Sequence, residues 1–191
     1  MTETLGMTLP GGAAIPAPLS ERVRHAEDCG RQIVAMVQQD LRPSQILTWQ
    51  AFENAIRVLH ACGGSTNGVI HLIAIAGRLG IELPLRLFDD LSRTTPMLGN
   101  LRPSGKYHRE DLWEAGGVPV LLKELEPLLR AEALTVTGKT WGEMLPRIPR
   151  AAAWLRYPVR GADMTMLLIK LLYPAGWLRN SWKFMLSSQS I

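Results

Sequence analysis

Residues 62–83 read CGGSTNGVIHLIAIAGRLGIEL, and the way this stretch folds decides the architecture. Gly63 and Gly64 let the backbone turn sharply, and Ser65, Thr66 and Asn67 then supply the short polar side chains that gather at helix N-termini. From Asn67 to Arg78 the chain is apolar on nearly every side, through Val69, Ile70, Leu72, Ile73, Ala74, Ile75 and Ala76. A helix that is apolar all round is a buried one, so a buried helix is expected here. Its N-terminus would present free N–H groups and the positive end of a dipole, which suits a carboxylate or phosphate as well as a plain cap. His71, one turn in, is either a satisfied core histidine or a side chain that reaches the same turn as Asn67.

Upstream, residues 1–18 are rich in Gly, Pro and Ala without a period and read as an irregular connector that follows something else. Ser20 is placed to cap a helix whose apolar stripe is Val23, Ala26, Ile33, Val34 and Val37, broken at Leu41-Arg42-Pro43. Thr48 caps the next helix, with Ala51, Phe52, Ala55, Ile56 and Leu59 as its buried stripe. Downstream, Phe88 to Arg93 reads as a short helix, Met97 to Leu101 as an extended piece, and Arg109 to Ala115 as a helix stopped by Gly116-Gly117. Pro119 suits the first turn of a helix over Val120 to Leu129, and the alternation in 133–137, ending at Gly138, predicts one strand.

From about Pro146 the character changes, with Trp154, Trp177, Trp182 and scattered arginines lacking a steady period. The chain therefore divides into residues 1–145 and a tail, 146–191, expected to be unrelated or poorly ordered. Met164 to Leu172 is apolar but interrupted by Lys170, far short of the ~20 residues of a membrane span. An interfacial amphipathic segment is the alternative for that stretch.

With 47% hydrophobic and 20% charged residues among 191, the composition is that of a globular chain, and the net charge of +4 is spread rather than clustered. Without a basic block or a recognition motif, nucleic acid is not an expected partner. Cys29 and Cys62 show no CxxC spacing, and the opening MTETLGMTLPGG has neither a basic nor an apolar leader region, so a cytoplasmic location is expected. The spacing of His25, His60 and His108 does not suggest a zinc site.

Arg102-Pro103-Ser104-Gly105-Lys106-Tyr107 is a second candidate segment, either a solvated turn or a loop that aims Ser104, Lys106 and backbone amides at an anion. Neither GxxxxGK[ST] nor GxGxxG occurs. The pairs Asp89-Asp90, Glu110-Asp111 and Glu124 with Glu126 sit beside basic residues on helix surfaces and read as solvated faces, not as acid/base pairs.

Taken together, GGSTNGVIHLIAIAGRLGIEL (63–83), the stretch from FDDLSRTTPMLGN to EDLWEAGGVPVLLKEL (88–125) and ALTVTGKTWGE (133–143) resemble the second half of the N-terminal domain of the dihydroxy-acid and 6-phosphogluconate dehydratase family. TLGMTLPGGAAIPA (4–17) and LRPSQILTWQAFENAIRV (41–58) resemble it too, so the likeness runs collinearly over about residues 1–145. It implies a hydro-lyase that converts 2,3-dihydroxy carboxylic acids, from branched-chain precursors to sugar acids, into 2-keto acids. It also implies an iron–sulfur cluster held by three cysteines, a magnesium ion at the substrate carboxylate, a small-molecule hydroxy-acid partner and a homo-oligomeric parent. The cluster cysteines and the Cys-Asp-Lys metal segment of that family have no counterpart in this sequence, and Cys29 and Cys62 do not match cluster positions.

The expected fold is α/β: an incomplete three-layer domain, helix-rich, with a small parallel sheet. The expected substrate-binding residues are Ser65, Thr66, Asn67, His71, Ser104 and Lys106, with no catalytic residue and no metal ligand in the chain. The expected function is that of a dehydratase fragment inactive alone; the competing reading is a non-catalytic interaction module or degenerate gene product.

Overall fold

The computed structural model describes residues 1–99, 101, 102 and 106–150. Eight α-helices are assigned among them: α1 (Ser20–Gln38), α2 (Pro43–Ile46), α3 (Trp49–Ala61), α4 (Thr66–Arg78), α5 (Leu85–Thr94), α6 (Arg109–Glu114), α7 (Gly117–Leu125) and α8 (Trp141–Met144). Helix therefore dominates, as expected from the apolar periods. The parallel sheet does not appear among the described residues, where pairing is limited to isolated bridges such as Leu101 with Tyr107 and Leu134 with Thr140.

The central element is α3. It buries Ala51, Phe52, Ala55, Ile56, Val58, Leu59 and Ala61, and it also buries Glu53 and Asn54. Two buried polar side chains are tolerated because both find partners on the same residue. Asn54 donates to the Arg130 carbonyl at 3.0 Å and accepts from the Arg130 N–H at 2.7 Å, while the Glu53 carboxylate meets Arg130 Nε at 2.7 Å and Arg57 at 3.3 Å. Helices α4, α5 and α7 pack around α3, with Leu72, Phe88, Leu91, Leu121, Leu122 and Leu125 completing the core.

This arrangement corrects the reading of α4. Only Leu72 and Ala76 of α4 are buried, and Val69 and Ile73 are half-covered, so the helix expected to be enclosed lies on the surface. The enclosed helix is its neighbour α3, whose pattern predicted a single stripe. Uniform apolarity says that a helix prefers cover; it does not supply the covering layer.

Helix α1 is turned the opposite way from its pattern. Ser20 is its first helical residue and Leu19 stands at the cap position. The face toward the body carries Arg22, His25, Cys29, Gln32 and Met36, whereas Val23, Ala26, Ile33, Val34 and Val37 point outward. Polar bonds fix this orientation: Arg22 donates to the carbonyls of Gly12 (3.0 Å) and Ile15, and Gln32 donates to the Val136 carbonyl at 2.6 Å. Met36 adds an apolar anchor with Ile46 and Val136.

Residues 1–18 lack regular structure, as expected, yet they are not a loose connector. Glu3, Thr4, Leu5, Ala14 and Ile15 are buried, and Trp141 donates its indole N–H to the Thr4 carbonyl at 3.2 Å. The strand expected over 133–137 is instead a tight turn. Thr135 N–H donates to Lys139 O at 3.0 Å, Gly138 takes φ 75, and Val136 N–H reaches back to Gly6 O at 2.7 Å. Thr135 and Val136 carry a strand preference, but here the turn's own hydrogen bonds and the positive φ of Gly138 decide. The tail from residue 151 onward lies outside the described residues; of its first residues, Ile148 packs against the core.

Candidate functional site

The Gly63–Gly64 turn joins the C-terminus of α3 to the N-terminus of α4. Cys62 N–H donates to Val58 O, Gly63 N–H to His60 O at 3.1 Å, and Gly64 N–H to Leu59 O at 2.8 Å, so the last carbonyls of α3 are satisfied by the turn itself. Gly63 takes φ 65, which favours glycine. A Cβ on Gly64 would lie 2.3 Å from Leu59 Cδ1 and 2.9 Å from the Leu59 carbonyl oxygen, so only glycine lets the turn lie this close to α3.

Ser65 stands at the N-cap of α4 with φ −82 and ψ 161, but its hydroxyl makes no capping bond. Ser65, Thr66 and Asn67 are all exposed, and His71 is exposed one turn further along. The core-histidine reading of His71 is therefore corrected: it stands on the outer surface of α4. Three short polar side chains thus stand unengaged at the first turn of a 13-residue helix, beside the positive end of its dipole.

The second candidate segment starts next to the same turn. The N–H groups of Leu98 and Gly99 both donate to the Ala61 carbonyl at 2.8 Å, and a Cβ on Gly99 would lie 3.2 Å from Cys62 Cα. Two residues later Leu101 bridges to Tyr107, and Arg102 N–H donates to Tyr107 O at 2.8 Å, closing the base of the loop. Lys106 is exposed, its ammonium 5.4 Å from the centre of the Tyr107 ring. Ser104 lies outside the described residues. The fold thus brings the root of the Lys106 loop to the Cys62–Gly64 turn.

The two thiols do not form the donor set that the resemblance implies. Cys29 lies mid-way along α1, and Cys62 caps α3, where it donates to Leu59 O and burial raises its pKa, keeping it a thiol. A cluster requires converging thiolates. Among the described residues no group of three His, Cys, Asp or Glu side chains is placed to hold a metal ion. No helix among them is long and apolar enough to cross a membrane.

Besides Glu53, the ionisable side chains of buried Glu3 and half-buried His60 were not singled out as functional by the sequence. Glu3 accepts from the N–H groups of Gly11 (2.6 Å) and Ala13 (2.9 Å), and burial raises its pKa against the pull of those two bonds. Neither imidazole nitrogen of His60 completes a hydrogen bond among the described residues; burial lowers its pKa, and the Phe88 backbone and the Asp89 carboxylate oppose that fall only in part. Neither has a sequence signature, because each is defined by what the fold lays over it.

Comparison with known proteins agrees with the motifs. The model of the family described as dihydroxy-acid/6-phosphogluconate dehydratase, N-terminal, matches residues 1–144. L-arabinonate dehydratase of Rhizobium leguminosarum bv. trifolii is 56% identical over 145 residues, covering 74% of this chain and 25% of that protein. Dihydroxy-acid dehydratases of Caldanaerobacter subterraneus subsp. tengcongensis and Halothermothrix orenii are 52% and 48% identical over 145 and 150 residues, covering 75% and 78% of this chain and 26% and 27% of those proteins. The chain spans about a quarter of the length of the curated relatives it matches. On a match of this extent and identity, the chain belongs to the dihydroxy-acid/6-phosphogluconate dehydratase N-terminal family.

Proposed function

We propose that this chain is a part of a cytoplasmic hydro-lyase that dehydrates 2,3-dihydroxy carboxylic acids, a branched-chain dihydroxy acid or a sugar acid such as L-arabinonate, to 2-keto acids. Within such an enzyme its contribution is to substrate binding. The exposed N-terminus of α4, with Ser65, Thr66, Asn67 and His71, receives the acid's oxygens, and Ser104 and Lys106 are the further binding residues. The observation that supports this reading is the Ala61 carbonyl, which takes both Leu98 and Gly99 N–H groups and so ties the root of the Lys106 loop to the end of α3, next to the α4 turn. A helix N-terminus and a lysine both favour a carboxylate, and a hydroxyl and an amide suit its neighbouring alcohols.

By itself the chain does not turn the acid over. Expelling hydroxide from an unactivated carbon calls for a strong electrophile at the leaving oxygen, worth several kcal/mol of transition-state stabilisation. Neither Cys29 nor Cys62 is placed to hold one. Binding and turnover therefore separate, and the isolated chain is non-catalytic while its family is enzymatic. Residues 1–145 are the dehydratase portion, and residues 146–191 are unrelated to it in sequence.

Two measurements test this. In the first, L-arabinonate and a branched-chain 2,3-dihydroxy acid are titrated into the chain while backbone amide resonances are followed. Shifts should concentrate at Thr66, Asn67 and Lys106, with a Kd of about 1 mM or weaker. Asn67→Ala and Lys106→Ala should each abolish the effect, and shifts spread evenly over the chain would remove the site. In the second, 2-keto acid is followed after anaerobic incubation with iron and sulfide. Release above a protein-free control, lost in the Cys29→Ser/Cys62→Ser double variant, would overturn the inactive reading.

A further inference from the structure

The outward row of α1 runs Val23, Ala26, Gly30, Ile33 and Val37, in steps of three and four residues. Val23 is 72% and Val37 75% exposed, and Ile33 and the flanking Val34 are more than half exposed. That spacing is the seam along which one helix meets another element, and a Cβ on Gly30 would have nothing within 4 Å. The row cannot be hidden by rolling the helix, since that would break the Arg22 and Gln32 bonds to the body and expose Met36. Helix α4 shows the same condition: Ile70 is 49% and Ile75 39% exposed, with Ala74 between them. Single exposed aliphatic residues are ordinary; two ordered rows on two helices are a covering surface without its cover.

We propose that these rows of α1 and α4 dock the portion of a family dehydratase that lies beyond the quarter this chain represents. The proposal rests on the chain being part of a dehydratase. Three observations choose that occupant. The matched relatives are about four times as long as the matched stretch, which leaves ample polypeptide to form a cover. Both rows lie within residues 1–144, the stretch shared with those relatives. Helices α1 and α4 are each covered by the described residues on one side only, and in layered folds an apolar helix face left in this way is covered by a neighbouring element.

The test co-expresses the full 191-residue chain with a tagged form of the Rhizobium leguminosarum L-arabinonate dehydratase in which the stretch aligned with residues 1–145 is replaced by a Gly/Ser linker. The chain should co-purify in near one-to-one ratio. Val23→Glu/Ile33→Glu and Ile70→Glu/Ile75→Glu should each lower retention tenfold or more, while Arg86→Glu on the exposed side of α5 should not. Equal retention of all variants overturns the proposal. Should the linker protein fail to fold, glutamate is placed in the intact Rhizobium enzyme at the positions aligned with Ile33 and Ile70. Its thermal midpoint should fall far more than that of this chain carrying Ile33→Glu/Ile70→Glu; equal falls overturn the proposal. Light scattering of the chain alone adds a further check: a dimer dissolved by Ile33→Glu would assign the rows to a second copy, and increased binding of an apolar dye on removal of residues 151–191 would assign them to the tail. Either result overturns the proposal. Keto-acid release by the co-purified complex is read separately: a complex without turnover keeps the docking and counts against the hydro-lyase reading, whereas absence of a complex leaves that reading untouched.

Discussion

At the residue scale, Glu3 and His60 give the chain a pH dependence that its composition does not reveal. Burial holds the folded-state pKa of Glu3 above the ordinary glutamate value, so its contribution to stability is complete below about pH 4.3 and is lost as pH rises through the folded value. Burial holds His60 below the ordinary histidine value, so its contribution is complete above about pH 6.5 and is lost as pH falls through the folded value. The two slopes oppose each other between these limits. Relative to the parent chain, the change in urea midpoint with rising pH across that interval should be more positive in Glu3→Gln and more negative in His60→Phe. Profiles parallel to the parent in both variants would show that neither group titrates differently on folding. In the sequence Glu3 belongs to a stretch without period and His60 is a lone histidine on a helix; only the overlay of loop 10–13 and of α5 makes them special.

At the scale of the element, two helix starts headed by a hydroxyl residue behave differently, because Thr140 is followed three residues later by Glu143 and Ser65 by Gly68. Thr140 accepts from Glu143 N–H at 3.3 Å, and the Glu143 carboxylate returns to Thr140 N–H at 2.8 Å, a reciprocal cap on α8. The Glu143 carboxylate is accordingly held below its usual pKa by those bonds from Thr140. Ser65 makes no such bond. Thr140→Ala should therefore cost about 1 kcal/mol in urea unfolding and Ser65→Ala no more than a few tenths. An equal cost would mean that the Ser65 hydroxyl caps α4 in solution and is not free for a ligand. Gly64→Ala should cost more than Ser65→Ala, about 1–3 kcal/mol, because its Cβ would press on the Leu59 carbonyl oxygen. Periodicity located α4 and α6 to within a residue and found α3 and α5, the latter starting three residues earlier than expected, because side-chain spacing is local information. It misjudged which faces of α1 and α4 are covered, because cover is supplied by other elements.

At the scale of the whole molecule, the two ends of the matched region are tied together by Trp141. Its ring is fully buried among Leu5, Ala133 and the core, and its N–H serves the Thr4 carbonyl. Trp141→Phe keeps most of the apolar volume but leaves that carbonyl short of a partner, so unfolding stability should drop by about 1–3 kcal/mol as one cooperative transition. A loss confined to the first eighteen residues, with the helices unaffected, would show that the irregular segment is a separate unit. The division at about Pro146 is tested by brief trypsin treatment of the native chain. Cleavage should occur first beyond Arg150, leaving a body of about residues 1–150; cutting within α3 or α7 before the tail would contradict it.

The sequence by itself determined the family, through motifs in fixed order, and most of the helices, through spacing that each segment carries alone. It also nominated Ser65, Thr66, Asn67 and Lys106 as candidates, since a Gly-Gly turn before a helix and a Pro-Ser-Gly turn before a lysine are local signals. Only the tertiary structure decided that α3, not α4, is enclosed, that α1 turns its apolar row outward, and that 133–137 is a turn docked on Gly6. Only it brought Leu98 and Gly99, at the root of the Lys106 loop, to the end of α3 through one carbonyl at Ala61. The physical reason is the same throughout: conformational preference is written into neighbouring residues, whereas burial is a relation between segments distant in sequence, settled by which surfaces and hydrogen bonds the whole chain makes available.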